Sequence, residues 1–272
     1  MKETAEYEKA CRVAHVAAKA AADVHRTHLG RVNVNDWSSK GTADFVTYVD
    51  REAEAEALQH IRTAFPAHDI LAEESADSTD GAPPTTSDWV WIVDPLDGTT
   101  NFLHQFPMYC SSVALLHKGI PVAASVVCSA TGEEWTASLG GGMYRNGVRT
   151  RVSETSDLGR ALIGTGFPFK LREVMPLYLR QFAHIIHQVS DLRRGGAAAL
   201  DLCYVASGFL DGFWELDLRP WDYAAGVLII REAGGVASGL AGEPIWAPHG
   251  GGIIAGNPHV YPHLVRSLEE VK

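Results

Sequence analysis

Apolar residues recur at helical spacing through residues 4–28, an Ala-rich stretch that predicts a long amphipathic helix. The same spacing returns over 50–65 (DREAEAEALQHIRTAF), with acids in the first turn, where the helix dipole favours them, and Pro66 as the stop. The pattern then shortens to strands. DILA (69–72) and WVWIV (89–93) are separated by a polar, Pro-containing loop over 76–88. YCSSVALL and PVAASVVCS read as two strands turning at Lys118–Gly119. EEWTASL leads through Gly140–Gly142, read as a turn, into MYRNGVRT, whose Asn146–Gly147 predicts a two-residue hairpin. The first half therefore reads as two helices on a largely antiparallel sheet.

From about residue 155 strands and helices alternate. Strand RALIGTG, helix PLYLRQFAHIIHQV, strand DLRR, helix AAALDLCYVASG, strand DGFWEL, helix WDYAAGVLIIREAG and strand GGIIAG precede a final helix. Such alternation implies a mixed or parallel sheet covered by helices. The expected organisation is one unit over 1–272, with an N-terminal α+β half (1–154) and a C-terminal α/β half (155–272) meeting in the 150s.

Composition narrows the function classes. The chain has 272 residues, 46% hydrophobic and 21% charged, an ordinary globular balance. A formal charge of −10 argues against general nucleic-acid binding, which needs Lys and Arg in excess. It leaves room for an anionic substrate if bound cations reverse the sign locally. Cys11, Cys110, Cys128 and Cys203 are scattered, as reduced thiols of a cytoplasmic protein would be. The first residues carry charges throughout and form no signal peptide, and no run of about eighteen apolar residues predicts a membrane span.

The chemistry concentrates at strand ends. VWIVDPLDGTTNF (90–102) runs four apolar residues into Asp94 and Asp97, around Pro95 and Leu96. Taken alone, this is either turn chemistry or a strand presenting carboxylates to a cation. Glu73 and Glu74 follow DILA, and Asp222 opens a helix behind Trp221. Each has a plain reading as a solvated loop edge or a helix cap. Together they offer hard oxygen ligands for Mg²⁺, two of which can hold the attacking and leaving oxygens of a displacement at phosphorus. His184 and His187, three apart on a helix, lack a third partner and read as structural, as does Asp44.

WIVDPLDGTTNF resembles the signature of the inositol monophosphatase family. ILAEES (70–75) resembles that family's Gly-Glu-Glu-Ser segment, and WDYAAGVLIIREAGG (221–235) its Trp-Asp-x-Ala-Ala-Gly segment. KGTADFVTYVD (40–50) and RRGGAAALDLCYVASGFLDGFWEL (193–216) match its front and substrate-side regions, in the expected order. The resemblance implies the layered αβαβα sandwich of the inositol monophosphatase and fructose-1,6-bisphosphatase type, an α+β or α/β fold. It implies a Mg²⁺-dependent, lithium-sensitive phosphatase of the bacterial-type branch, using two to three ions per subunit. Glu73, Asp94 and the Leu96 carbonyl would bind one ion, and Asp94, Asp97 and Asp222 a second. Glu73 would share a third. Thr99, backed by Asp50, would orient the attacking water. Asp97, Gly98, Thr99, Gly196, Ala197 and Glu215 would meet the substrate, and Lys40 would sit near the metals.

The substrate implied is a small polyol or sugar phosphate monoester, first of all inositol 1-phosphate, and the assembly a homodimer without nucleic-acid or membrane partners. Fructose-1,6-bisphosphatase or histidinol-phosphatase activity is the alternative, as is a regulatory binding protein that keeps the fold. Ala72 stands where relatives usually have Gly, and Ala197–Ala198 where a Ser/Thr-Ala pair is common, so a hydroxyl contact to substrate is missing.

Overall fold

The computed structural model describes residues 2–32, 38–41, 44–76, 87–240, 242–243 and 251–271, with backbone alone at Lys2, 38–41 and 44–45. Two long helices come first, α1 (Lys2–His28) and α2 (Tyr48–Ala64), with a small hairpin, β1 (Ser38–Gly41) and β2 (Asp44–Val46), between them. A seven-stranded sheet follows in the order β3 (Asp69–Ala72), β4 (Trp89–Asp97), β5 (Cys110–His117), β6 (Ile120–Cys128), β7 (Glu134–Ser138), β8 (Gly142–Arg145) and β9 (Val148–Arg149). Only the β3–β4 pair is parallel. Short helix α3 (Thr99–Leu103) interrupts the meander after β4. Both hairpin turns expected from the sequence form: Lys118 and Gly119, and Asn146 and Gly147, all take positive φ, as tight primed turns require.

The second half builds β10 (Leu162–Thr165), α4 (Met175–Ile186), β11 (Asp191–Arg193), α5 (Ala198–Ala206), β12 (Gly212–Leu218), α6 (Pro220–Glu232), β13 (Val236–Ser238), β14 (Gly251–Gly256) and α7 (Tyr261–Glu269). Its five strands lie in the order β11-β10-β12-β14-β13, parallel on the β11–β10–β12 side and antiparallel at β14. β1, β2, β13 and α3 were too short to carry a periodic signal.

Three apolar cores separate five layers. α1 and α2 pack on one face of the large sheet through Ala14, Ala18, Ala57 and Ile61 against Trp91, Val93 and Leu115. α5 and α6 fill the space between the sheets, where Leu202, Val227 and Ile230 meet Ile92, Ala114 and Phe213. α4 and α7 cover the outer face of the small sheet against Trp214, Leu216 and Ile254. This is the αβαβα layering expected. His184, on α4, reaches Glu270 at 3.2 Å, a surface pairing that matches its structural reading.

Candidate active site

The wording DPLD does its work through strand register. Side chains of a strand alternate between faces, so residues three apart point opposite ways. In β4, Val90 and Ile92 face α5 and α6, while Trp91 and Val93 face α1 and α2. Asp94 pairs with Ser112 and Asp97 with Cys110, so two intervening residues on β4 face one on β5. That one-residue bulge reverses the phase. Leu96 falls into the α1–α2 core, and Asp94 and Asp97 come to share the face toward α5 and α6. The sequence reading ended the strand at Val93 and made Asp94–Asp97 a turn. Instead β4 continues through Asp97, because a bulge is one of the places a strand tolerates proline.

Gly98 then turns the chain with φ +89, and a Cβ there would meet the Met108 carbonyl at 2.7 Å, so glycine is required. α3 follows and brings Thr99 round. Its hydroxyl lies 3.1 Å from both Asp50 Oδ1 and the Leu96 carbonyl, and donates to one at a time. Asp50 is buried at the start of α2, where its Oδ2 accepts from the Thr47 amide (2.8 Å) and hydroxyl (2.7 Å) in a capping box. Burial lifts the Asp50 carboxyl above its ordinary range, and the bonds from Thr47 and Thr99 pull it back.

Glu73 extends the β3–β4 ladder, its amide donating to the Val93 carbonyl at 3.1 Å. The turn behind it is pinned by the buried Glu54 of α2, which accepts from the Glu74 amide (2.8 Å) and the Ser75 hydroxyl. Asp222 lies in the first turn of α6 and accepts from the Arg219 amide at 2.6 Å, so it caps the helix and lines the pocket at once. Asp97 accepts from the Ala199 amide of α5 at 2.8 Å.

Glu73, Asp94, Asp97 and Asp222 line one cleft of about 350 Å³, together with Leu96, Gly98, Thr99, Gly196 and Glu215. Their mutual repulsion is large. Burial first, then the charges of Glu73, Asp97 and Asp222, hold Asp94 well above the usual carboxylate range. Burial raises Asp97 to about 6 against the pull of the Ala199 amide, and Asp222 to about 7 against that of Lys170. Asp97 and Asp222 are partly exposed to the cleft yet enclosed by protein on their other sides, and it is this enclosure that denies them full hydration. Among the described residues, no three acidic, His or Cys side chains close on one point as a finished metal cage. Asp94, Asp97 and Asp222 instead accept from the backbone amides of Leu96, Ala199 and Arg219.

Not every expected residue reaches the cleft. Asp50 stands behind Thr99, and the Ala197 side chain is buried in the core while its neighbour Ala198 lines the wall. The Lys40 and Asp44 side chains lie outside the described residues. Glu215 lines the cleft, held well above its usual range by burial and then by Asp201 and Asp222, with Arg194 pulling it down. Gly166 leaves it room, since a Cβ there would sit 2.0 Å from its carboxyl oxygen. Sequence reasoning missed Glu54, Phe167, Phe169, Lys170, Arg194 and Arg219. For all but Glu54, which lies within a predicted helix, the only signal was charged and aromatic residues near the ends of predicted strands.

Comparison with known proteins places these features in context. A profile described as the "Inositol monophosphatase family" matches residues 6–272. The Nus factor SuhB of Escherichia coli K12 is 40% identical over 254 residues, covering 93% of this chain and 93% of its own. A putative Nus factor SuhB of Neisseria meningitidis is 42% identical over 252 residues, covering 93% and 95%. The inositol monophosphatase structure from Anabaena (Nostoc) superposes with a TM-score of 0.84 at 36% identity, covering 97% of each chain.

Proposed function

The chain belongs to the inositol monophosphatase family, and from that premise we propose that it hydrolyses a phosphate monoester of a small polyol or sugar. Inositol 1-phosphate is the first substrate to test. One observation carries the reading. Four acids from three separate segments converge on a single cleft beside the Thr99–Asp50 pair. The donor set fits Mg²⁺, being hard carboxylate oxygens plus the Leu96 carbonyl, and the mutual repulsion at Asp94 is what a cation would relieve. Glu73, Asp94 and Leu96 would hold one ion and Asp94, Asp97 and Asp222 the next, with Glu73 sharing a third. Bound there, the ions neutralise the phosphate and lower the pKa of water.

The chain's own groups do the rest. Thr99 donates its hydroxyl proton to Asp50, which leaves the oxygen free to accept from the attacking water and orient it. Asp50 is the eventual proton acceptor through that hydroxyl. The Gly98–Thr100 segment lines the cleft where the phosphate would sit. Glu215, whose carboxyl burial pushes well above its usual range, would meet a substrate hydroxyl, beside the backbone at Gly196 and Ala197. A cytoplasmic location, homodimeric assembly and lithium sensitivity belong to the same reading; among the described residues no helix is long and apolar enough to cross a membrane.

Mg²⁺-dependent phosphate release from inositol 1-phosphate, fructose 1,6-bisphosphate and histidinol phosphate tests this. Release from at least one is expected, and survival of all three overturns the reading. The relatives named Nus factors supply the competing view, a protein that keeps the fold and works by binding. Four acids and Thr99 assembled on one cleft favour hydrolysis, and the assay separates the two.

A further inference from the structure

The cleft that holds the four acids also carries a guanidinium to which no protein oxygen is hydrogen-bonded among the described residues. Arg194 is exposed, follows β11 and lines the cleft. Its guanidinium carbon lies 5.5 Å from the centre of the Phe167 ring and 5.4 Å from that of Phe169. The two rings are themselves 5.4 Å apart and tilted by 57°. Contacts at these distances are cation–π contacts, which do not consume the N–H groups as donors to oxygen. Among the described residues no oxygen accepts a hydrogen bond from those groups, whereas the neighbouring Arg193 is committed to Asp191 at 2.6 Å. Lys170, Arg219, Asp217 and Glu215 also line the cleft. Glu215 and Asp201 lie within reach of the Arg194 charge, but neither is hydrogen-bonded to it.

We infer that Arg194 receives a second anionic group, carboxylate or phosphate, on the alcohol part of the substrate, so that the preferred esters are those of anionic rather than neutral polyols. This rests on the phosphatase reading above and specifies its substrate class. A planar fork matches either anion through paired N–H bonds. The phosphate that reacts occupies the acidic end of the cleft. The remote anion at the Arg194 end fixes which way the ester lies, so its binding energy orients the reacting bond.

Matched pairs of substrates test it. Sorbitol 6-phosphate and 6-phosphogluconate differ at the far end by a carboxylate. Fructose 1-phosphate and fructose 1,6-bisphosphate differ by a phosphate. The quantity to read is the ratio of kcat/KM within each pair, and the larger ratio identifies the anion. In the wild type the anionic member is expected to be favoured about tenfold or more. Arg194→Ala should bring that ratio near one, Arg194→Lys should keep part of it, and Phe169→Leu should lower it part way. A wild-type ratio near one overturns the inference, as does a ratio that Arg194→Ala leaves unchanged or a loss equal for both members. If none of the four is hydrolysed, calorimetric Kd values for the same compounds decide the inference, and phosphate release from inositol 1-phosphate decides the phosphatase reading separately. Tighter binding of the anionic members, lost in Arg194→Ala, supports it; equal binding overturns it.

Discussion

β4 and β12 belong to different sheets, yet both enter the cleft through the same irregularity. In β4, two residues between Asp94 and Asp97 lie opposite one on β5. In β12, two residues between Glu215 and Leu218 lie opposite one on β14. Each bulge reverses the side-chain phase, so Asp94 with Asp97, and Glu215 with Leu218, turn toward the middle layer. The devices differ in how the backbone accommodates the extra residue. β4 uses a proline followed by an obligatory glycine turn, whereas β12 places a non-glycine residue, Asp217, at φ +59. The first bulge gathers like charges that repel, and the second holds a wall of mixed charge. Repulsion belongs to a site that expects a cation, and mixed charge to one that sorts substrates.

The contrast breaks most sharply at β4. Asp94→Asn should lower kcat by about a hundredfold or more in a Mg²⁺-dependent phosphate-release assay, since on the proposed assignment it would remove the ligand shared by two ions. Its metal-free Tm should rise rather than fall, because one member of a repelling cluster becomes neutral. Undiminished turnover would sink the metal assignment. Thr99→Val and Asp50→Asn should each cost roughly 10- to 100-fold in kcat. The double variant should lose little more than either alone, because the two groups act as one unit. Additive losses in that cycle would separate them.

The charge cluster also sets a pH dependence. A carboxyl whose folded value exceeds its unfolded one holds its proton more tightly when folded. Stability is then lost as pH climbs from the ordinary value of 3.8 through about 6 for Asp97 and about 7 for Asp222. The metal-free protein should therefore melt about a few degrees lower at pH 8 than at pH 5.5, and Mg²⁺ should raise Tm more at pH 8. A metal-free Tm that is flat across that window contradicts the assignment. The smallest effect belongs to β12. Asp217→Val should destabilise by about 1–2 kcal/mol in urea titration, because a β-branched residue resists positive φ, while Asp217→Gly should be neutral or better. Mg²⁺ affinity should be untouched by either, which would confirm that the two bulges serve separate ends of the cleft.

Legibility in the sequence followed the range of the interaction. The long helices and hairpins showed in periodicity and turn residues, because neighbours along the chain impose them. Asp94, Asp97, Thr99 and Glu73 were visible because the residues that shape them are adjacent. The resemblance placed the backbone of Ala197 at the substrate, and only the docking of α5 between the sheets buried its side chain in the core. Glu54 looked like one more acid on a helical surface. Only the approach of the 73–75 turn made it a buried acceptor.

What the sequence determined by itself is therefore the longer helices and strands, the family and the acids at the strand ends. Tertiary structure decided which face those acids took, because a one-residue register offset exists only between paired strands. It also decided what shares their cleft. Phe167 and Phe169 follow β10 and Arg194 follows β11, and they meet only because β10 and β11 pair side by side, so no local pattern could record their company.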